Sequence, residues 1–144
     1  MFLQVTSKGR YALRVMLDLA RHPGEGPISL KTVADRQGIS QKYLESIICS
    51  LRKAGLVDSA RGKEGGYALA REPEDCTVWA ILSCTEDSLA PVACIRDGSA
   101  DCSRAEACPT LPMWQELDGL TRRYLESVTL RDLMSGERWK NKEK

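Results

Sequence analysis

Three cysteines in the second half of the chain, Cys94, Cys102 and Cys108, have seven and five residues between them. The residues around them are mostly Gly, Ala, Ser and Asp, a composition that predicts a loop. Thiolates are soft ligands for iron and other metals, and they also undergo redox chemistry. The loop is therefore a candidate for metal binding or thiol chemistry.

The composition indicates a folded chain in the cytoplasm. Of the 144 residues, 42% are apolar, which is enough for a modest core. The N-terminal stretch is interrupted by Lys8, Arg10 and Arg14, so it lacks the apolar core of a signal peptide, and no apolar run predicts a membrane span. In a reducing cytoplasm, the six cysteines are expected to be metal ligands or redox-active thiols rather than disulfides.

The charge is unevenly distributed along the chain. Residues 1–63 carry eleven Lys and Arg against five acids, whereas residues 64–144 carry ten against fifteen. A basic first half is the electrostatic pattern expected of a surface that faces nucleic-acid phosphates. Chance drift of charge is the alternative explanation.

The first half predicts three helices from its capping residues. Ser7 is interpreted as the N-cap of a helix that runs to about Arg21, Ser29 as the cap of a second helix that stops at Gly38, and Ser40 as the cap of a third. Two helices joined by a tight turn are typical of a helix-turn-helix, whose second helix enters the major groove of DNA. An ordinary solvated helix is the alternative.

The third helix separates into two faces. Its apolar face consists of Leu44, Ile47, Ile48 and Leu51, and its polar face of Lys42, Glu45, Ser46, Cys49 and Lys53. Cys49, Cys76 and Cys84 lie on or beside predicted helices, and we interpret them as buried structural thiols.

A glycine-rich hairpin follows the third helix. Residues 56–60 and 67–70 resemble short strands, and the basic tip between them contains Arg61, Gly62, Lys63, Gly65 and Gly66. These residues predict a wing whose arginine enters a narrow minor groove. Glu64 weakens this interpretation slightly, and a nucleotide-binding loop is disfavoured because the Walker spacing is absent.

The second half predicts more helices. Thr77 caps a short one, and a long one begins near Pro112. The long helix carries apolar residues at nearly coiled-coil spacing: Met113, Leu117, Leu120, Tyr124 and Val128. It is predicted to pack against its twin in a homodimer, with packing on its own domain as the alternative. A last helix over residues 129–134 ends at Gly136, and the charged tail after Glu137 is predicted to be disordered.

Several segments together resemble the Rrf-two family of winged-helix transcription regulators, which has IscR-like, NsrR-like and CymR-like members. The resemblance extends to about Met134, and its motifs are highly specific in combination. They lie at residues 3–18, 36–40, 43–45, 51–57 and 61–67. The implied fold is mainly α-helical, with a small β-hairpin wing and a long C-terminal dimerisation helix. The implied domains are residues 1–75 for DNA binding, 76–136 for the cysteine loop and dimerisation, and 137–144 as the tail.

The resemblance implies a homodimer that binds a pseudo-palindromic operator in double-stranded DNA. Its recognition helices would enter major grooves and its wings the flanking minor grooves. The base-reading candidates are Lys42, Glu45 and Ser46, with Arg61 for the minor groove. The weaker candidates, for phosphate contacts, are Tyr43, Lys8, Arg10 and Arg52.

The three loop cysteines match the family's cluster-binding loop, which implies an iron-sulfur cluster with two or four irons. Zinc is less favoured because structural zinc sites usually contain Cys-x2-Cys pairs, and this sequence has none. Leu111 occupies the position of the histidine ligand of IscR-like members, and Arg10 that of the acidic ligand of NsrR-like members. The fourth ligand is therefore unassigned. The nearby oxygen donors are Asp97, Asp101, Glu106 and Thr110, and an exogenous ligand is also possible.

Two other function classes are weighed against a cluster-dependent regulator. A CymR-like regulator of sulfur metabolism would respond to a protein or metabolite without a cluster. An enzyme is disfavoured because a nucleophilic cysteine needs a positioned base, and the only histidine, His22, is far from the cysteine loop in sequence. The sequence therefore favours a DNA-binding regulator.

Overall fold

The computed structural model describes residues 4–60, 65–98, 103–140 and 142. The predicted fold, mainly α-helical with one hairpin, is confirmed. The helices and strands in chain order are α1 (Ser7–Ala20), α2 (Leu30–Gln37), α3 (Gln41–Lys53), β1 (Val57–Ala60), β2 (Gly66–Leu69), α4 (Val78–Thr85), α5 (Leu111–Ser127), α6 (Leu130–Ser135) and α7 (Glu137–Lys140). Short 3-10 helices lie at Pro73–Asp75, Ala93–Gly98 and Ala105–Ala107.

Side-chain hydroxyls begin most of these helices. The predicted caps of α2, α3 and α4 are confirmed, because each accepts a hydrogen bond from a backbone N–H three residues later; they are Ser29, Ser40 and Thr77. The predicted cap of α1 is wrong by one residue. The hydroxyl of Thr6 accepts from the N–H of Gly9, so Ser7 is the first helical residue.

The hairpin pairs β1 with β2 in antiparallel register, with Val57 opposite Leu69. Ile28 forms a bridge to Tyr67 on the outer side of β2, through two backbone hydrogen bonds of 2.9 and 2.8 Å. A Cβ on Gly66 would overlap the backbone of Ile28. The chain thus needs glycine at residue 66 for this close strand contact, whatever its role towards DNA.

The main core packs α1 against α3. The predicted apolar face of α3 is buried, and so are Cys76, Ile81 and Leu130 from the second half of the chain. The proposed boundary at residue 75 therefore does not divide the core. The division of roles between the two segments stays a prediction.

The long helix α5 exposes part of its apolar stripe. Met113 and Leu120 are each 52% exposed and Tyr124 is 47% exposed. Val128 was predicted to end this stripe, but it follows the last residue of α5 and is buried against Val78 and Leu82. Its assignment to the dimerisation stripe is therefore wrong.

The chain after Gly136 contains a short helix where the sequence predicts disorder. Residues 137–140 form α7, and Arg138 donates a 2.7 Å hydrogen bond to the carbonyl of Ser127 at the end of α5. Trp139 packs against the cluster that contains Val128. These contacts order a segment whose charged composition suggested otherwise. None of the helices in the described part of the chain has the length and apolar content that a membrane span needs.

Candidate nucleic-acid interface and metal centre

The three predicted base readers lie together on the exposed side of α3. Lys42, Glu45 and Ser46 are all exposed within its first two turns, opposite the buried apolar face. Tyr43 is half-buried, and its ring packs edge-on against Tyr11 with the centroids 5.8 Å apart. The helix therefore presents polar side chains to solvent from a backbone that the core holds in place.

The predicted phosphate contacts lie on α1 and on α3 itself. Lys8 Nζ donates a 3.1 Å hydrogen bond to the hydroxyl of Ser50 on α3, and Arg10 donates to Ser7 on the exposed side of α1. Arg52 is exposed in the last turn of α3. Gly65 and Gly66 lie at the start of the second hairpin arm. The predicted wing-tip residues Arg61, Gly62 and Lys63 lie outside the described residues.

A buried carboxylate fixes the approach to the helix-turn-helix turn. Asp18 of α1 is only 4% exposed, and its oxygens accept 2.8 Å hydrogen bonds from Arg36 and Gln37 of α2. Arg14 donates to the side chain of Gln37. These bonds hold the end of α2 just before Gly38, whose φ of +65° begins the turn into α3. None of the sequence predictions includes this network. The one feature of the sequence that indicates it is Asp18, an acid among the apolar residues of α1.

The cysteines outside the loop do not share one environment. Cys76 is buried as predicted, and burial raises the pKa of its thiol. Cys84 is half-buried, and its Sγ donates to the carbonyl of Ile81 at 3.1 Å. Cys49 is exposed on the polar face of α3, so its prediction as a buried thiol is wrong.

The structure places two of the three predicted cluster ligands against the same apolar cluster. Cys94 and Cys108 both pack against one small apolar cluster, formed by Ala90, Ile95 and Leu111. Cys94 lies in the first 3-10 helix of the loop, and Cys108 lies just before α5. Cys102 lies outside the described residues.

Local hydrogen bonds act on the thiol of Cys108. The side-chain hydroxyl of Thr110 lies 3.3 Å from Sγ. Its hydrogen bond, followed by that of the backbone N–H of Thr110, lowers the pKa of Cys108. Hydrogen bonds to a charged form favour that form, so the thiolate is stabilised, and the thiolate is the form that binds metals.

Comparison with known proteins decides the family. Residues 5–136 match the Rrf2 family, described as an iron-dependent transcriptional regulator. The chain is 41% identical over 132 residues to the HTH-type transcriptional regulator IscR of Photobacterium profundum, which covers 92% of this chain and 76% of that protein. It is 42% identical to the protein rrf2 of Nitratidesulfovibrio vulgaris, over 92% of this chain and 87% of that one. The chain belongs to the Rrf2 family.

Solved structures agree with this assignment. CymR, the global cysteine regulator of B. subtilis, is 38% identical, with a TM-score of 0.74 over 93% of this chain and 98% of that one. T. potens IscR is 43% identical, with a TM-score of 0.72 over 93% and 88%. The resemblance to the Rrf-two (Rrf2) family and the winged-helix fold are thus confirmed. This Rrf2 protein is a DNA-binding transcriptional regulator and not an enzyme.

The fourth ligand of a cluster stays unassigned. Leu111 is buried in the small apolar cluster and offers no donor, and Arg10 is exposed on α1. Nδ1 of His22 donates to the carbonyl of Asp18 at 2.7 Å, at the far end of α1. In the described part of the chain, no three His, Cys, Asp or Glu side chains are arranged to hold a metal ion. Of the predicted oxygen donors, Glu106 is exposed and Thr110 contacts Cys108, whereas Asp101 lies outside the described residues and the side chain of Asp97 is not described.

Proposed function

We propose that this Rrf2-family protein is a homodimeric repressor that binds a pseudo-palindromic operator, and that an iron-sulfur cluster held by Cys94, Cys102 and Cys108 modulates its affinity for that operator. The DNA-binding part of the proposal rests on the arrangement of side chains on α3. Its predicted readers are exposed on one side of a helix whose other side is buried in the core. A helix presented in this way can enter a major groove without rearrangement.

The exposed side chains of α3 suggest how bases are read. Lys42 would donate to the acceptors of a guanine, and Glu45 would accept from the amino group of a cytosine or repel other bases. Lys8, Arg10 and Arg52 would contact phosphates, which fix register rather than sequence. Tyr43 packs against Tyr11 of α1 and would contribute mainly by orienting α3.

The exposed stripe of α5 supports a dimer. Met113, Leu120 and Tyr124 present large apolar groups to solvent on a 17-residue helix. A second copy packed on this stripe would bury it. The two α3 helices would then be related by a two-fold axis. Sedimentation of the wild-type protein at micromolar concentration should give the mass of two chains, and a monomer mass would contradict this arrangement.

The donor set of the loop fits an iron-sulfur cluster, because cluster iron is held mainly by thiolates. When bound, the cluster supplies a group that responds to oxidants and to small molecules. In the loop that joins α4 to α5, Cys94 lies nine residues after the last residue of α4, and Cys108 lies three residues before the first residue of α5. Holding both thiols to a shared group would close this loop and fix where α5 begins. Release of the thiols would relax the loop and change the affinity for the operator.

A regulator without a cluster is the second candidate. The similarity to CymR and the apolar residue Leu111 at the expected ligand position favour it. In that case a protein or metabolite of sulfur metabolism would control operator binding, and the loop thiols would serve no metal.

Anaerobic purification separates these two candidates. We expect wild-type protein to be coloured and to contain iron and sulfide, and we expect Cys102→Ala to lose both. Cys49→Ser is the matched control, because Cys49 is exposed outside the loop, and it should retain the cluster. Colourless wild-type protein without iron or sulfide would support the CymR-like candidate.

The thiol of Cys49 also tests the DNA-binding face. Since it is exposed on the polar side of α3, bound operator should slow its alkylation. Cys76 should react slowly with or without DNA, because it is buried and its pKa is raised. Unchanged alkylation of Cys49 in a saturated operator complex would contradict the proposed role of α3.

A further inference from the structure

Glu86 joins the start of the cysteine loop to the start of α1. Its Oε1 accepts a 3.1 Å hydrogen bond from the backbone N–H of Thr6 and a 2.7 Å hydrogen bond from the hydroxyl of the same residue. Glu86 is also the residue that follows α4, and its own N–H donates to the carbonyl of Leu82. One carboxylate therefore connects the end of α4, where the loop begins, with the residue that caps α1.

The packing of α1 accommodates this carboxylate. Gly9 is buried in the first turn of α1, and a Cβ at this position would overlap Oε1 of Glu86. The absence of a side chain at residue 9 thus permits the carboxylate to approach the helix. A negative charge at a helix N-terminus is also favoured by the helix dipole.

The same turn of α1 reaches the recognition helix. Lys8 Nζ donates to the hydroxyl of Ser50, and that hydroxyl donates to the carbonyl of Ser46, one of the proposed base readers. Arg96, two residues after Cys94, lines a groove together with Thr6, Lys8 and Glu86. Contacts therefore extend from the cysteine loop, through the first turn of α1, to the exposed side of α3.

We propose that Glu86 is a positioning residue that couples the state of the cysteine loop to the placement of α3. This inference rests on the proposed function, because it requires that the loop thiols affect operator binding. A movement of the loop that withdraws Glu86 removes two hydrogen bonds from Thr6. The first turn of α1, and with it Lys8, then loses its fixed position against Ser50. Coupling of this kind requires that the Glu86 bonds differ between two loop states.

A double-mutant cycle on operator affinity tests the proposal. In the wild-type background, loss of the loop thiol in Cys102→Ala should change the dissociation constant by about 5- to 150-fold, the usual range for coupled sites. In the Glu86→Ala background, the same substitution should change it by no more than about twofold, because both hydrogen bonds to Thr6 are lost. Glu126→Ala is the matched control: it removes an exposed carboxylate that pairs with Arg122 on α5 and should leave the wild-type ratio intact.

Thr6 provides a second, independent break in the same contact. Thr6→Val removes the hydroxyl that both donates to Glu86 and caps α1, and it should weaken the coupling as Glu86→Ala does. Thr6→Ser keeps the hydroxyl, so in this variant Cys102→Ala should change the dissociation constant as much as it does in the wild type. Circular dichroism and thermal melts of each variant establish that it is folded before affinity is measured. A folded Thr6→Val that keeps the full wild-type ratio would contradict the role of this hydrogen bond.

A readout on cluster-free protein uses the reciprocity of coupling. If operator binding and loop state are linked, saturating operator shifts the populations of the loop states, and we expect the alkylation of Cys94 and Cys108 in the wild type to change with their exposure. This change should disappear in Glu86→Ala and persist in Glu126→Ala. Mass spectrometry of alkylated peptides reports each thiol separately.

The outcomes distinguish this inference from the proposed function. If Cys102→Ala changes operator affinity equally in the wild-type and Glu86→Ala backgrounds, Glu86 is only structural, and the inference is wrong while the proposed function stands. If Cys102→Ala leaves the affinity of the wild type unchanged, cluster regulation itself is wrong, and the inference is wrong with it.

Discussion

The helix-turn-helix and the cysteine loop are both short segments, but they are fixed by different means. In the first, Ser29 and Ser40 cap both helices, and the bonds of Asp18 hold the end of α2. The loop between α4 and α5 contains, in its described residues, two 3-10 helices that pack around a cluster with only three buried residues. The exposed side of α3 is therefore held in place by several bonds and a large core, whereas the loop packs around a much smaller cluster.

This difference suits a regulator whose affinity must change. A rigid reader gives a defined affinity in each state, and a loop of low local stability responds to a weak chemical signal. The contact between Glu86 and Thr6 joins the start of the loop to α1, and Lys8 of α1 contacts α3.

The largest effect is expected when one buried side chain is truncated in the main core and one in the small apolar cluster of the loop. Leu44→Ala should lower the free energy of unfolding by about 3 kcal/mol, because Leu44 is fully buried in the main core. Ile95→Ala should lower it by about 2 kcal/mol, the low end for a buried isoleucine, since a small cluster can collapse around the lost volume. Urea titrations followed by circular dichroism measure both values. Similar losses would mean that the loop is as firmly integrated as α3.

The next effect concerns the buried carboxylate. Asp18→Asn should lower the free energy of unfolding by about 2 kcal/mol, because it leaves Arg36 without its ion-pair partner at 2.8 Å. It should also weaken operator binding, since the end of α2 is no longer held. Asp35→Asn, an exposed acid beside Arg36, is the control and should change neither quantity by more than about 0.5 kcal/mol. Unaltered stability of Asp18→Asn would remove this network from the explanation.

Local signals explain what the sequence could predict of the fold. Caps and turn glycines act within a few residues, so Ser29, Gly38 and Ser40 marked the helix-turn-helix correctly. The start of α1 was misplaced because Thr6 and Ser7 are adjacent hydroxyl residues. Thr6 is the one that also donates to Glu86, eighty residues away in sequence. A contact of that range leaves no local pattern.

Tertiary contacts also explain the other differences. Val128 continued the spacing of the α5 stripe, but α5 ends at Ser127, and the chain turns inward there. The tail after Glu137 was charged enough to suggest disorder, yet Arg138 finds the free carbonyl of Ser127. At the candidate site, the three cysteines and their spacing were enough to identify the loop from the sequence. They could not show that Cys94 and Cys108 share one apolar cluster.

The wing extends the comparison to a second DNA-reading element. Arg61→Ala should weaken operator binding by about 1 to 3 kcal/mol, because a narrow minor groove has a strongly negative electrostatic potential that attracts an arginine side chain. Lys63→Ala should give a smaller loss that does not depend on sequence, as expected for a phosphate contact. Binding titrations over a range of salt concentrations separate the two effects. Equal binding by the wild type and Arg61→Ala at every salt concentration would reject the wing assignment.

The smallest effect compares the start of α3 with the start of α5. Ser40→Ala should lower the free energy of unfolding by about 1 kcal/mol, because the hydroxyl of Ser40 accepts from the N–H of Tyr43. Thr110→Ala should change it by less than about 0.5 kcal/mol, since the hydroxyl of Thr110 makes no cap bond to α5 and contacts Cys108 instead. Thermal melts of the cluster-free protein measure both. Equal losses would show that α5 begins at a position fixed locally, and the loop thiols would then have no means of setting where that helix starts.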